Sequence, residues 1–353
     1  MLTAIIWVAV GCTGPSQTAS AGDPLQFAAD EVVWTMVVIP DTQNYVKHEA
    51  TAPIFEQMTR WIVDNAESRN IGLVLHEGDI VNNNNDTRDN QHSPQQWRHA
   101  QEAMFILNGE VPYVMAAGNH DYGFHNAENR QTQFNDYFKP TDNPLNDPAK
   151  GGILAGQMVE GHLDNAYYEY AAPDGRALLV FSLEWGPREA VIDWANAIAG
   201  RPEYAGHTAV LLTHAYMYFD ETRYDHTQDA DGDGKIDRKW NPHSYGTAGD
   251  THDGQELWDD LVKRHGSFEM TFNGHVLGDG LGYLQSTGDQ GNAVYQMLFN
   301  TQFEAHGGNG WLRLLEFMSD GKTVRVRTYS PYLDQWRTDP ANAFTIELSP
   351  VGR

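Results

Sequence analysis

Asp41, Asp79, Asn119, His214 and His275 stand far apart in the chain, yet each closes a short apolar run. Asp41 follows the run 32–39 through Pro40, and Asp79 follows 71–75 through His76-Glu77-Gly78. Asn119 comes after 111–116, His214 after 209–212, and His275 after 268–272. Carboxylate, amide oxygen and imidazole are side-chain groups that bind divalent cations of intermediate softness. One polar residue at a strand end is usually a turn former. Five of metal-ligand type, at five such ends, point to a shared site, because open α/β sheets bind ligands beyond the carboxyl ends of their strands. The chemistry this set offers is metal-assisted.

The elements that must carry these residues alternate in type. Ile54, Phe55, Met58, Trp61 and Ile62 recur at helical spacing, as do Trp97, Ala100, Met104 and Leu107. Segments 188–199 and 257–262 read as further helices, and 177–183 as a strand. After His275 the pattern changes, and 294–299, 311–318, 324–329 and 344–348 read as successive strands with no helix between them. The region 123–166, rich in Asn, Gly, Asp and Pro, reads as long surface loops. A polar excursion over about 218–252 reads as a loop insertion. Trp61, Trp97, Trp194 and Trp258 fall on apolar helical faces and read as core.

Asp41-Thr42-Gln43, Gly78-Asp79, Gly118-Asn119-His120-Asp121, His214 and Gly274-His275 together resemble the motifs of the calcineurin-like metallophosphoesterase family, over most of residues 32–348. Pro40-Asp41-Thr42-Gln43 and the segment 309–317 are similar to a bacterial, exported branch of it. The resemblance implies an α/β fold in which a two-sheet β-sandwich is flanked by helices in four layers, α/β/β/α. It also implies two divalent or trivalent ions (Mn, Fe or Zn) in one cleft. By matching position, Asp79 bridges the ions, Asn119, His214 and His275 complete the second site, and Asp41 and Gln43 serve the first. A metal pair of this kind clamps a phosphoryl group and lowers the pKa of water. His120 then assists the leaving group, and Asp121 is expected to orient its ring.

Two departures from the family pattern stand out. Gln43 and Leu277 occupy positions where the family usually has histidine. A neutral amide ligates weakly and Leu277 cannot ligate, so the expectation is a firm second site and a weak or vacant first one. Asp279, on the Gly278-Asp279-Gly280 turn, is a candidate replacement ligand. A separate motif places Asp229, Asp231, Asp233 and Asp237 at the first, third, fifth and ninth positions of a calcium-type loop, with Gly234 at the sixth. Trp240 stands where such a loop needs glutamate, so a structural calcium ordering the cleft rim is expected without a full EF-hand. His243 and Tyr245 in the same excursion are candidate substrate contacts, with Arg223 and Arg238 as further phosphate candidates.

The 353 residues, 41% of them hydrophobic, can build a sizeable core, and the formal net charge of -25 argues against a nucleic-acid polymer as partner. Residues 2–10 form an apolar run too short to span a bilayer but suited to an export signal, and Cys12 follows it as in a bacterial lipobox. No Lys or Arg precedes the run. The expected organisation is an export signal over 1–11, a flexible tether over 12–30, and one domain over 31–349. The protein would then be periplasmic, outer-membrane-anchored or extracellular, meeting membrane only through a lipid on Cys12. Two functions stay open at this point: hydrolysis of a phosphate-ester substrate, and a catalytically weak scaffold serving as a calcium-stabilised surface binding lipoprotein.

Overall fold

The computed structural model describes residues 31–86 and 92–351. The apolar run, Cys12 and the expected tether lie outside the described residues. The first sheet opens with β1 (Val32–Ile39), β2 (Ile71–His76) and β3 (Tyr113–Met115), which pair in parallel. The second sheet takes β4 (Leu154–Gln157), β5 (Ala166–Ala171), β6 (Ala177–Ser182), β7 (Thr208–Leu212), β8 (Phe268–Asn273), β9 (Leu281–Thr287) and β10 (Ala293–Phe299), in the order β4-β5-β6-β7-β8-β10-β9. The chain then returns to the first sheet as β11 (Leu312–Met318), β12 (Thr323–Ser330), β13 (Gln335–Arg337) and β14 (Phe344–Glu347). There β11 pairs antiparallel with β1. The result is an α/β two-sheet sandwich of seven strands per sheet.

The parallel strands are buried on both faces, so they read as continuous apolar runs rather than alternating ones. In β1 every residue from Trp34 to Ile39 is buried. Trp34 points between the sheets, stacking on Phe317 at a centroid distance of 4.0 Å and meeting Tyr170 of the second sheet at 5.5 Å. Gly72 on β2 permits that approach, since a Cβ there would lie 2.1 Å from the Tyr170 hydroxyl. At the other end of the interface the Ser182 hydroxyl donates to the Met115 carbonyl at 2.7 Å.

Helices α1 (Gln43–Val46), α2 (Ala52–Asp64) and α3 (Ser93–Phe105) belong to the first sheet's crossovers. Helices α5 (Glu189–Ala199) and α6 (Gly254–Asp260) belong to the second sheet's, and the short α4 (Phe134–Tyr137) lies between the two groups. Trp194 of α5 meets Tyr167 of β5 edge-on at 5.9 Å, and Phe55 of α2 packs on His76 of β2 at the same distance. The stretch 123–166 corrects the expectation of loops alone. It holds α4 and β4 and runs into β5, so it builds one edge of the second sheet. Between β7 and α6 the excursion contains only the Met217–Arg223 bridge and a single 3-10 turn, Pro242–Ser244.

Candidate metal centre

Every strand-end residue singled out above comes to one place, with Asp41, Asp79 and Asn119 from the first sheet and His214 and His275 from the second. All five are buried. Ligand atoms of Asp79, His214 and His275 lie within 4.8 Å of one another, and the two imidazole centroids are 5.0 Å apart.

The local backbone is bent to achieve this. Gly78, Asp79 and His275 all have left-handed φ, at 97°, 46° and 71°. For a non-glycine residue this conformation costs roughly 1–3 kcal/mol and persists only when the surroundings over-determine it. Two networks do so here. Asp121 accepts the backbone N–H groups of Gly118 (2.7 Å), Ile80 (3.0 Å) and Val81 (3.0 Å), tying the Asp79 loop to the Asn119 turn. His76 accepts from the Gly78 N–H on Nδ1 at 3.1 Å, which leaves Nε2–H to donate to the Thr42 hydroxyl at 3.0 Å; that hydroxyl donates onward to the Ile80 carbonyl. Burial, aided by His214, pushes His76 down to about 3, so it stays neutral.

The tautomers follow from the partners. His214 Nδ1 lies 2.8 Å from the Glu77 carbonyl, and His275 Nε2 lies 2.8 Å from the Trp240 carbonyl. A carbonyl only accepts, so those nitrogens carry hydrogen and the opposite nitrogen of each ring is free to present a lone pair. His214 Nε2 is buried without a hydrogen-bond partner, although Asp79 Oδ1 stands 3.2 Å from it. Asn119 Oδ1 is likewise buried and unpartnered, while its amide nitrogen donates to Asn126. A carboxylate, two imidazoles and an amide oxygen thus supply the acceptors; Asp79 also receives the His120 N–H and the Gln43 amide, while His214 Nε2 and Asn119 Oδ1 meet no donor. That donor set fits a divalent ion.

The charges agree. Burial opposes protonation of His214, but the carboxylates of Asp79 and Asp41 outweigh it and lift His214 to about 9. Burial pushes His275 down to about 3, with His214 adding to the effect. Burial would raise Asp79, yet His214 and His120 overcome it and hold it below the carboxylate range. The cluster is negative enough to capture a proton in place of a cation.

The first-site half is built differently. Asp41 Oδ2 accepts from Asn300 Nδ2 (2.9 Å) and Gln302 Nε2 (3.0 Å), and the His275 backbone N–H lies 3.1 Å from the same oxygen. Gly274 is required beside it, because a Cβ there would stand 1.9 Å from Asp41 Oδ1. Gln43 donates to Asp79 Oδ2 at 3.0 Å and also to Gln302, so its amide nitrogen rather than its oxygen faces its neighbours. Amides occupy the space around Asp41 where a first ion would need ligands. Asp279 does not replace Leu277: it is exposed, caps the Leu281 N–H, and lines a separate hollow of about 440 Å³ with Phe219 and Tyr283.

The cleft over the cluster has a volume of about 260 Å³. His120, Tyr245, Trp240, Leu277, Gln302 and Phe303 line it beside the ligands, and among its described lining residues there is no Lys or Arg. His120 corrects the expected role of Asp121. Its Nδ1 pairs with the Asn82 carbonyl at 2.8 Å, so Asn82 orients the ring while Asp121 is taken up by backbone N–H groups. Tyr245 lies in the cleft, packed on Trp185 at 4.9 Å. His243 does not: its Nε2 is 2.7 Å from Glu256. Arg223 lies 4.0 Å over the Trp258 ring and bonds to Gln296, and Arg238 pairs with Asp220, so neither serves the cleft. In the calcium-type loop, carboxylate oxygens of Asp229, Asp231 and Asp237 converge on the surface, whereas Asp233 is bound by Lys235 at 2.6 Å.

Asn300, Gln302, Glu77 and Asn82 were not anticipated. Asn300 follows the apolar β10 as Asp41 follows β1, so the same strand-end rule would have flagged it. Glu77 is fully buried with neither oxygen hydrogen-bonded. Burial, then the nearby Asp41 charge, pushes it well above the carboxylate range, with Arg313 offsetting part.

Fold and site together define an α/β sandwich with a buried His/Asp cluster able to bind a metal ion. No family model matches the chain. Its sequence is 28% identical over 307 residues to the uncharacterized protein YvnB of Bacillus subtilis (strain 168). That match takes in 85% of this chain and 20% of the relative, so the chain spans about a fifth of the relative's length. Among solved structures, GAP50, the anchor in the inner membrane complex of Plasmodium, aligns over 90% of this chain and 89% of its own with a TM-score of 0.45 and 8% identity. So loose a likeness carries nothing about function.

Proposed function

We propose that this chain is a metal-dependent phosphoesterase of the calcineurin-like class, hydrolysing phosphate mono- or diesters. One observation carries the reading: buried acceptors from both sheets, the unpartnered His214 Nε2 and Asn119 Oδ1 among them, converge beside Asp79 at the floor of an open cleft. Asp79, Asn119, His214 and His275 would hold one firm ion of the Mn, Fe or Zn type. The amide cage on Asp41 supports a first site that is weak or vacant. An ion held by Asp79, Asn119, His214 and His275 would supply a Lewis acid for a phosphoryl oxygen and a lowered pKa for the attacking water. His120, with Nδ1–H on the Asn82 carbonyl, would give the departing oxygen the Nε2 proton of its imidazolium form and be left as the neutral ring. Asp121 positions both ligand loops, and Tyr245, Trp240 and Phe303 shape the room for the ester's organic group. A structural calcium at Asp229, Asp231 and Asp237 belongs to the same reading, as does export on a lipid-bearing Cys12.

The test is elemental analysis of the purified chain alongside hydrolysis of an aryl phosphate and a bis-aryl phosphate. The expected result is at least one transition ion per chain and turnover that a chelator abolishes and Mn restores. Bound metal without turnover on either ester would instead establish the binding scaffold.

Proton and metal compete for His214 Nε2. In the metal-free chain its folded pKa of about 9 exceeds the unfolded value of about 6.5. The stability it contributes is therefore complete below about pH 6.5 and lost as pH rises through about 9. Metal affinity has the opposite slope, rising about tenfold per pH unit until pH 9, with one proton released per ion. Calorimetric titration in buffers of different ionisation enthalpy measures that proton, and a pH-independent affinity from 6 to 9 would refute the competition.

A further inference from the structure

We propose that His226, His243, Asp253 and Glu256 form a second, zinc-type metal site that staples the long excursion between β7 and α6. One ligand atom from each residue lies within 4.8 Å of the others. His226 Nδ1 is 3.1 Å from Asp253 Oδ2 and 3.7 Å from Glu256 Oε2, and His243 Nε2 is 2.7 Å from Glu256 Oε2. Ligands of a tetrahedral zinc ion lie roughly 3.3 Å from one another, so small adjustments suffice. Two neutral imidazoles and two carboxylates balance a dication.

Hydrogen bonding explains part of this cluster but leaves a charge problem. Asp253 is fully buried and caps α6, with Oδ1 on the Gln255 and Glu256 N–H groups. Glu256 returns Oε2 to the Asp253 N–H, completing a capping box. Among the described residues no Lys or Arg pairs with either carboxylate. The imidazoles of His226 and His243 lie at a centroid distance of 3.9 Å with their planes tilted by 31°, where two imidazolium charges would repel. A divalent ion held by the neutral rings supplies the positive charge without that repulsion and draws the rings to the same centre. The side chains of His226, His243 and Glu256 keep 32%, 19% and 30% of their surface exposed, which gives an ion a way in.

The placement gives the site a purpose. His226 and His243 bracket the acidic turn 229–237, and Asp253 and Glu256 anchor them to the start of α6. An excursion this long without regular structure needs a fastening. Trp240, three residues before His243, forms part of the cleft wall and accepts from His275. An ion at this node therefore fixes a wall of the cleft from outside it, whether or not the cleft is catalytic.

The experiment uses the full chain carrying Asp79→Asn and His214→Ala, so that the first centre cannot bind, stripped with chelator and titrated with Co²⁺ and then Zn²⁺. The expected result is one cobalt per chain with the visible bands of a tetrahedral ion, displaced by one zinc. Zinc should also slow proteolytic cleavage within 227–240. Adding His226→Ala with His243→Ala should abolish binding. Glu256→Gln, which the capping box tolerates, should weaken it by about tenfold or more while the chelated protein melts as its parent does. Absence of cobalt bands, or zinc binding that survives loss of both imidazoles, overturns the proposal. Neither result bears on hydrolysis by the wild-type chain.

Discussion

Asp79→Asn should empty the metal centre and reduce phosphoester turnover by well over a hundredfold. The floor on that figure comes from residues that only support ligands, whose loss costs about 10–100-fold in metal affinity or activity; Asp79 is argued to be a ligand itself. The change is nearly isosteric, so the fold should survive. It removes the charge that, against burial, holds His214 up at about 9. His214 should then titrate at a clearly lower pH, visible by NMR in the metal-free chain. Asp79 also receives the His120 backbone N–H at 2.9 Å and the Gln43 amide at 3.0 Å, so His120 loses part of its placement as well. Elemental analysis and hydrolysis measured on one preparation check the result. Full metal content in the variant with normal turnover would remove Asp79 from the chemistry.

Trp34→Ala should destabilise the chain by ~3–5 kcal/mol, the range for deleting a large buried aromatic. The indole is fully buried, stacked on Phe317 within its own sheet and against Tyr170 from the other. The neighbouring Gly72 contributes no side chain to refill the space. Because the indole N–H has no hydrogen-bond partner, Trp34→Phe sacrifices no polar contact and should recover most of the loss. Denaturant midpoints of the parent and the two variants provide the measurement; an alanine midpoint equal to the parent's would mean that the layer collapses around alanine without cost.

The parallel strands were legible because burial on both faces leaves a continuous apolar run, as in β1, β2 and β7. Their ends were legible for the same reason: a polar residue within a few positions of the end of such a run is where a side chain can reach an open cleft. What escaped notice lay at or beside sheet edges. β5, one strand in from the edge, mixes Tyr167, Tyr168, Glu169 and Tyr170, and the edge strand β9 carries Gly282, Gln285 and Ser286; both leave part of one face to solvent. Neither resembles an apolar run, although both complete the second sheet. Within the site, residue type alone revealed which groups could ligate but not which would be taken by neighbours. Gln43 and Asp121 show this, the first held by Asp79 and Gln302 and the second by three backbone N–H groups. A hydrogen-bond partner brought from 259 residues away, as Gln302 is to Gln43, leaves no local mark in the sequence.

A cleft with no Lys or Arg among its described lining residues would govern the traffic of anions through it. On the proposed reading, a phosphate ester arriving at a chain of net charge -25 would feel no long-range pull toward the opening. Capture would then begin with the organic part of the ester against Trp240 and Phe303, both partly exposed at the rim. After cleavage that contact would be severed from the phosphate, leaving it beside the Asp79 carboxylate with only a bound ion to retain it. The same arrangement that would make entry selective for esters with an apolar or planar group would make departure of the freed anion easy.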